Sequence, residues 1–228
     1  MSKQEIIFRL RKALHDAASQ RQSVKQNGDV LAARLAVKRF QSLRMVTTYR
    51  DLLDSPETRA AALFFLNDLY GPEDLTQRDS DLERIVPTME KLLPASALET
   101  ITEALELDAL SEHLDAEMAS RLGAEFSAAE YMEAYRLTSR AERQRQIAHV
   151  RSVGSALCEL VRLPLIGGTL KVMRTPAKLA RLSELQSFLE RGFKAFKEMR
   201  RPDAFVDTVV HRESGILGRL YAGDPEPF

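Results

Sequence analysis

Helix punctuation constrains this chain more than any other feature. Ser-x-x-Glu recurs at Ser80/Glu83, Ser96/Glu99 and Ser127/Glu130, each time before an apolar periodic run. In such a box the Ser side chain accepts from the backbone N–H three residues on, and the Glu reaches back to the N-cap N–H. At the third box Phe126 and Tyr131 hold the two positions of a hydrophobic staple. Gly and Pro fall between the apolar segments, where helices end. No alternating strand run of useful length occurs. The pattern predicts an all-α fold, a compact multi-helix bundle of about eight to ten helices with no significant sheet.

The spacing places a short basic helix over 3–20, with Ile6, Ile7, Leu10 and Leu14 on one side, and a second over 29–53 after Asn27-Gly28. Ser55-Pro56 starts a third, as N-cap and first helical residue, which runs through FFLNDLY (64–70) and stops at Gly71-Pro72. Phe64 and Phe65 are adjacent on that helix and point about 100° apart, so two different neighbours should receive them. Pro87 predicts a kink or restart in the helix begun at Ser80. Residues 96–122 read as two helices broken near Asp108 and stopped at Gly123, and 128–162 read as one long helix. A helix over 169–174 should stop before Pro176, with two more over 177–200 and 203–221. Residues 1–221 thus form one helical domain, with residue 125 the best point for a subdivision, and 222–228 form a loose tail.

The chain has no net charge, yet its charges are segregated. Residues 1–50 carry +8, residues 51–135 carry −15, residues 136–201 carry +10 and residues 202–228 carry −3. Either the acidic middle packs beside the basic flanks, or a basic face meets a partner. Arg136, Arg140 and Arg143 share one face of the expected long helix, and Lys171, Arg174, Lys178 and Arg181 continue the basic surface. Few aromatic residues interleave with these cations, so nucleic acid is not an expected partner. The stretch 160–181 is basic and amphipathic enough to touch an anionic membrane from outside. The single Cys158 excludes an intramolecular disulfide and suggests a reducing, cytoplasmic setting. It lies four residues after Gly154, in an apolar context that predicts an inert buried thiol and a close helix contact. The Phe-rich FLERGFKAF segment (188–196) presents Phe188, Phe193 and Phe196 as core, or as the wall of an interhelical pocket.

At FFLNDLYGP the chain resembles an uncharacterised bacterial family named for its FFLEE block, the FFLEE (FFLEELY) domain proteins. The resemblance continues through QRDSDL (77–82), ERQRQIAHV (142–150), RLPLIGGTLKVMR (162–174) and LQSFLERGFKAFKEM (185–199), and Asn67 departs from the block. It implies a bacterial source and no particular activity.

Phosphate-cradling Gly-rich motifs, a Gly-x-Ser-x-Gly elbow and His-Glu-x-x-His are all missing. None of the four His has a Glu three residues before it, so a helical di-iron pair is unsupported. Asp79, Asp81 and Glu83 imitate the start of a calcium loop, but Arg84 stands where the turn needs Gly. No metal or cofactor is expected. By chemistry alone, Asp68, Tyr70, Arg78, Arg145 and His149 are the candidates for a ligand site, the first three gathered at the end of the FFLND helix. The expected function is that of a non-enzymatic, cytoplasmic helical interaction protein that binds a protein partner or itself. One alternative is a helical enzyme or carrier that holds a small apolar or anionic ligand between its helices. The other is peripheral binding to an anionic membrane.

Overall fold

The computed structural model describes residues 2–25, 28–69, 76–92, 95–163, 166–179 and 183–228. These residues form twelve helical segments and no strand, the all-α architecture that the punctuation implies. In chain order they are α1 (Lys3–Lys25), α2 (Gly28–Thr48), α3 (Arg50–Asp54), α4 (Arg59–Phe64), a π-helical turn (Phe65–Leu69), α5 (Thr76–Leu92) and α6 (Ala95–Leu122). Then follow α7 (Ala128–Arg136), α8 (Arg140–Leu160), α9 (Ile166–Leu179), α10 (Ser183–Lys197) and α11 (Pro202–Ala222).

The capping chemistry holds at some helix starts and not at others. Ser127 and Glu130 form the full reciprocal box of α7. Ser2 and Glu5 make the same exchange at α1, with the Ser2 N–H donating to Glu5 Oε2 at 2.6 Å and the Glu5 N–H donating to Ser2 Oγ at 3.2 Å. Ser139 caps α8 by accepting from the Glu142 N–H at 3.3 Å. That cap explains why 128–162 is two helices: the chain turns at Leu137–Ser139 and restarts. Ser80 and Ser96 instead lie inside α5 and α6, which begin at Thr76 and Ala95.

Proline interrupts less than its missing N–H suggests. α5 runs through Pro87 and α9 through Pro176 without a second start. α6 is unbroken at Asp108, whose carboxylate accepts from Arg21 of α1 at 2.6 Å. Ser55-Pro56 opens a turn rather than a helix, and the Arg59 N–H donating to Ser55 O is its first helical bond. Gly123 and Gly223 take left-handed backbone, with φ of 70° and 80°, just beyond α6 and α11. The expected stop at Gly71-Pro72 lies outside the described residues.

α6 is the central element: α1 and α2 pack along it, as do α7 and α8, while α11 lies on α8 and α9 lies on α10. One apolar cluster joins α1, α5 and α6 through Ile6, Ile7, Leu10, Leu14, Leu82 and Leu98. A second joins α2, α6 and α7 around Val37, Met118 and Tyr131. The largest lies between α2, α4, α8, α10 and α11. The FFLND phenylalanines build it from two sides. Phe64 sits on Gly192 of α10, with its ring 5.3 Å from that of Phe188. Phe65 reaches Phe196 at 6.1 Å and Phe205 of α11 at 5.6 Å. Adjacent side chains that diverge on a helix thereby serve α10 and the α10–α11 cleft.

The charge segregation is answered inside the chain where the first two helices meet α6. Arg9 of α1 binds Glu99 and Glu106 of α6 at 2.6 and 2.7 Å. Lys38 of α2 reaches Glu112 at 2.6 Å, and Arg34 donates to the same carboxylate. The basic first two helices therefore clasp the acidic α6. Glu112 is 4% exposed and holds Arg34 and Lys38 together, so losing its carboxylate would leave buried positive charge uncompensated, at a cost of about 3–5 kcal/mol.

The expected loose tail is docked. Pro227 is fully buried, and its carbonyl accepts from Arg219 Nε at 2.9 Å and from a terminal nitrogen at 2.6 Å. The Phe228 ring lies 6.3 Å from both Phe40 and Tyr131, and Arg44 stands over it at 5.9 Å. Pro227 is the anchor of the tail, while Pro225 and the Phe228 ring, against α2 and α7, stay exposed.

Candidate functional site

Five helices each present one stripe to an interior cavity of about 100 Å³. α2 contributes Gln41, Arg44 and Met45, with Tyr49 one turn on. α8 contributes Arg143, Gln146, Ile147 and Val150, and α11 contributes Phe205, Val209, Val210 and Glu213. Ser111 and Asp115 come from α6, and Tyr131 and Tyr135 from α7. The spacings of three and four that bury a helix face also line this space. Phe65 and Leu66 close it from the π turn, a wider turn that often marks functional positions.

Met45, Phe65, Val150 and Val209 give the lining its apolar part, and α2, α6, α7, α8 and α11 each add polar side chains. Their hydrogen bonds are closely matched. Glu213 accepts from Arg44 at 2.7 Å and from the Tyr49 hydroxyl at 2.6 Å. Burial alone would lower the Arg44 pKa, but the Glu213 carboxylate outweighs it and raises the guanidinium above its ordinary value. The Gln41 amide donates to Asp115 at 2.9 Å, and the Gln146 amide donates to Ser111 Oγ at 2.8 Å. Burial raises the pKa of the Tyr131 and Tyr135 phenols, so both stay protonated at neutral pH. Ser111 gives its own proton to the Leu107 carbonyl, and no His is in the lining. No Ser–His pair is therefore assembled among these residues.

Arg143 is the residue that sequence reasoning misplaced. It was expected beside Arg136 and Arg140 on a basic surface, and it is 3% exposed. The helix break at 137–139 separates the three: Arg136 ends α7, Arg140 begins α8 with its guanidinium 5.5 Å from the Tyr221 ring, and Arg143 turns inward. Its partners are all uncharged: Thr138 Oγ1 at 3.2 Å, Gln146 Oε1 at 3.4 Å, Met118 Sδ at 3.1 Å and the Tyr135 ring at 4.2 Å. Among the described residues no carboxylate lies within ion-pair distance of it. Among the described residues, Arg21 pairs with Asp108, Arg34 and Lys38 with Glu112, and Arg44 with Glu213. Arg143 stands apart from these pairs, and the signal that could have found it was Ser139-x-x-Glu142, one more capping pattern in the same register.

The residues picked for chemistry fall elsewhere. Arg145 is exposed and pairs with Glu142 at 3.4 Å, and His149 is half-buried on α8 but outside the cavity lining. Asp68 lies in the π turn and Arg78 in α5, but the side chains of both, like Tyr70 and Arg181 altogether, fall outside the described residues. Lys171, Arg174 and Lys178 are exposed on α9, as expected of a basic surface, with Arg174 held bidentate by Glu190 of α10 at 2.7 and 2.6 Å. Among the described residues no group of three or more His, Cys, Asp or Glu side chains could hold a metal ion, and no helix is long and apolar enough to cross a membrane.

A family model for a domain of unknown function, DUF8198, matches residues 20–227. The chain belongs to the DUF8198 family. The match covers every cavity-lining element and leaves out most of α1, so the cavity lies within the family's domain. The DUF8198 description assigns no activity and does not carry the FFLEE name. No curated protein and no solved structure matches the chain.

Proposed function

We propose that this DUF8198 protein is a non-enzymatic binding protein that holds a small ligand in the cavity between α2, α6, α7, α8 and α11. The observation that carries the reading is a space of about 100 Å³ lined both by apolar side chains and by buried, hydrogen-bonded polar groups from five helices. Ligand sites are built this way, with apolar walls and a few placed polar groups. Close-packed cores otherwise leave few voids larger than a water molecule. The self-association reading draws on charge segregation, of which the share carried by α1 and α2 is taken up by α6. The membrane reading depends on 160–181, where Arg174 is already tied to Glu190. A cytoplasmic location rests on the single cysteine.

The test is xenon binding followed by NMR, beside a Val150→Phe variant that fills the space. Xenon should perturb amides of α2, α8 and α11 in the wild type and not in the filled variant. A wild type that is indifferent to xenon would remove the cavity as a binding site.

A further inference from the structure

We infer that the ligand is a compact monocarboxylate, its head group taken by Arg143 and its short apolar body laid against Ile147, Val150 and Phe65. This rests on the reading of the cavity as a binding site and adds the class of molecule bound.

The argument begins with charge. A guanidinium removed from water demands an anion or very good hydrogen bonding. Arg143 is 3% exposed, and its three hydrogen bonds go to a hydroxyl, an amide oxygen at 3.4 Å and a thioether. Those bonds engage only part of its N–H fork, leaving an N–H on each terminal nitrogen for the two oxygens of a carboxylate. Neither acid that shares the cavity is available to fill that role. Glu213 is held by Arg44 and Tyr49, and Asp115 is held by Gln41 in the field of Arg34 and Lys38. Arg143 has no carboxylate partner among the described residues, so a monoanion would neutralise it, whereas a dianion would bring in a second buried charge without a partner.

Size and polarity narrow the class. A cavity of about 150 Å³ accepts benzene, and this one is about 100 Å³. An acid of about two to four carbons is of the right scale. The apolar side, with Ile147 and Val150 one turn along α8 from Arg143, favours an alkyl carboxylate over an equally small mineral anion.

The experiment titrates the full chain with propionate and with propionamide, its neutral isostere, by calorimetry and amide NMR, with xenon as a charge-blind probe of the same space. Propionate should bind at least tenfold more tightly than propionamide and shift resonances around Arg143. Arg143→Gln should lose that preference while still taking up xenon. Equal binding of acid and amide overturns the inference, as does xenon uptake with no response to propionate; in both cases the cavity reading survives. Absence of both xenon and propionate overturns the two together. If circular dichroism shows that Arg143→Gln does not fold, the wild-type comparison of acid with amide decides by itself.

Discussion

A glycine placed where two helices nearly touch acts as a spacer. A Cβ on Gly154 of α8 would lie 2.8 and 2.9 Å from the two methyl groups of Val206 in α11. Val has one strongly preferred rotamer in a helix and cannot swing aside. Gly154→Ala should therefore destabilise the fold by about 1–2 kcal/mol, overpacking outweighing the gain in helix propensity. Gly218, also in α11, has nothing within 4 Å of its Cβ position, and Gly218→Ala should stabilise by about 0.5–1 kcal/mol. Urea midpoints that move in opposite directions at constant slope would confirm the pair. If both fall, the α8–α11 contact is not what sets the difference. The residue scale was legible where spacing alone carries the meaning. Gly154 and Cys158 four apart announced the close contact and the buried thiol, which burial first and Asp203 second push up to about 11. It was illegible at Arg143, where the inward turn depends on a three-residue break that helical periodicity passes over.

At the scale of elements, α9 and α10 form a pair fastened by charge on its outer side. Glu190 accepts from both arms of Arg174 and from the Gln186 amide at 2.8 Å, and the Gln186 amide also donates to the Leu170 carbonyl at 2.6 Å. The Arg174 bond first, and that of Gln186 second, hold the Glu190 carboxyl down to about 2. A depressed carboxylate stabilises the fold above its unfolded pKa, about 4.3, and loses that contribution as pH falls toward the folded value. The Glu190 side-chain carbon resonance should thus stay in its ionised form down to about pH 3, and Arg174→Ala should return it to an ordinary titration. An ordinary titration in the wild type would mean that the pair does not persist in solution. Helix existence was legible throughout, because apolar spacing and Gly stops repeat. Helix starts were legible only where a cap had no competitor. Ser127 and Ser139 each follow a turn, whereas upstream residues of Ser80 and Ser96 are themselves able to be helical and extend α5 and α6 past them. The π turn after Phe64 had no signal at all, since no single residue type demands that geometry.

For the whole molecule, the docked tail is the least anticipated feature. Deleting residues 224–228 removes a buried proline and the ring resting on Phe40 and Tyr131. The loss of apolar burial amounts to about 2 kcal/mol, so the melting temperature should drop by about 4–8 °C for a chain of this size. A deletion that melts with the wild type would show that the tail does not hold its place. Sequence reading expected looseness because it saw Pro, Gly and acids; the acceptor groove of α2 and α7 exists only once the helices are assembled. The cavity was hidden for the same reason, since its five stripes come from segments far apart in the chain and each alone reads as ordinary core.

The void has a mechanical consequence too. About 100 Å³ per molecule corresponds to roughly 60 mL/mol, comparable with the whole volume change of unfolding for many proteins. Hydrostatic compression acts on that term directly. Pressure should therefore weaken the fold more than its helix count suggests, and Val150→Phe, which narrows the space, should reduce that sensitivity.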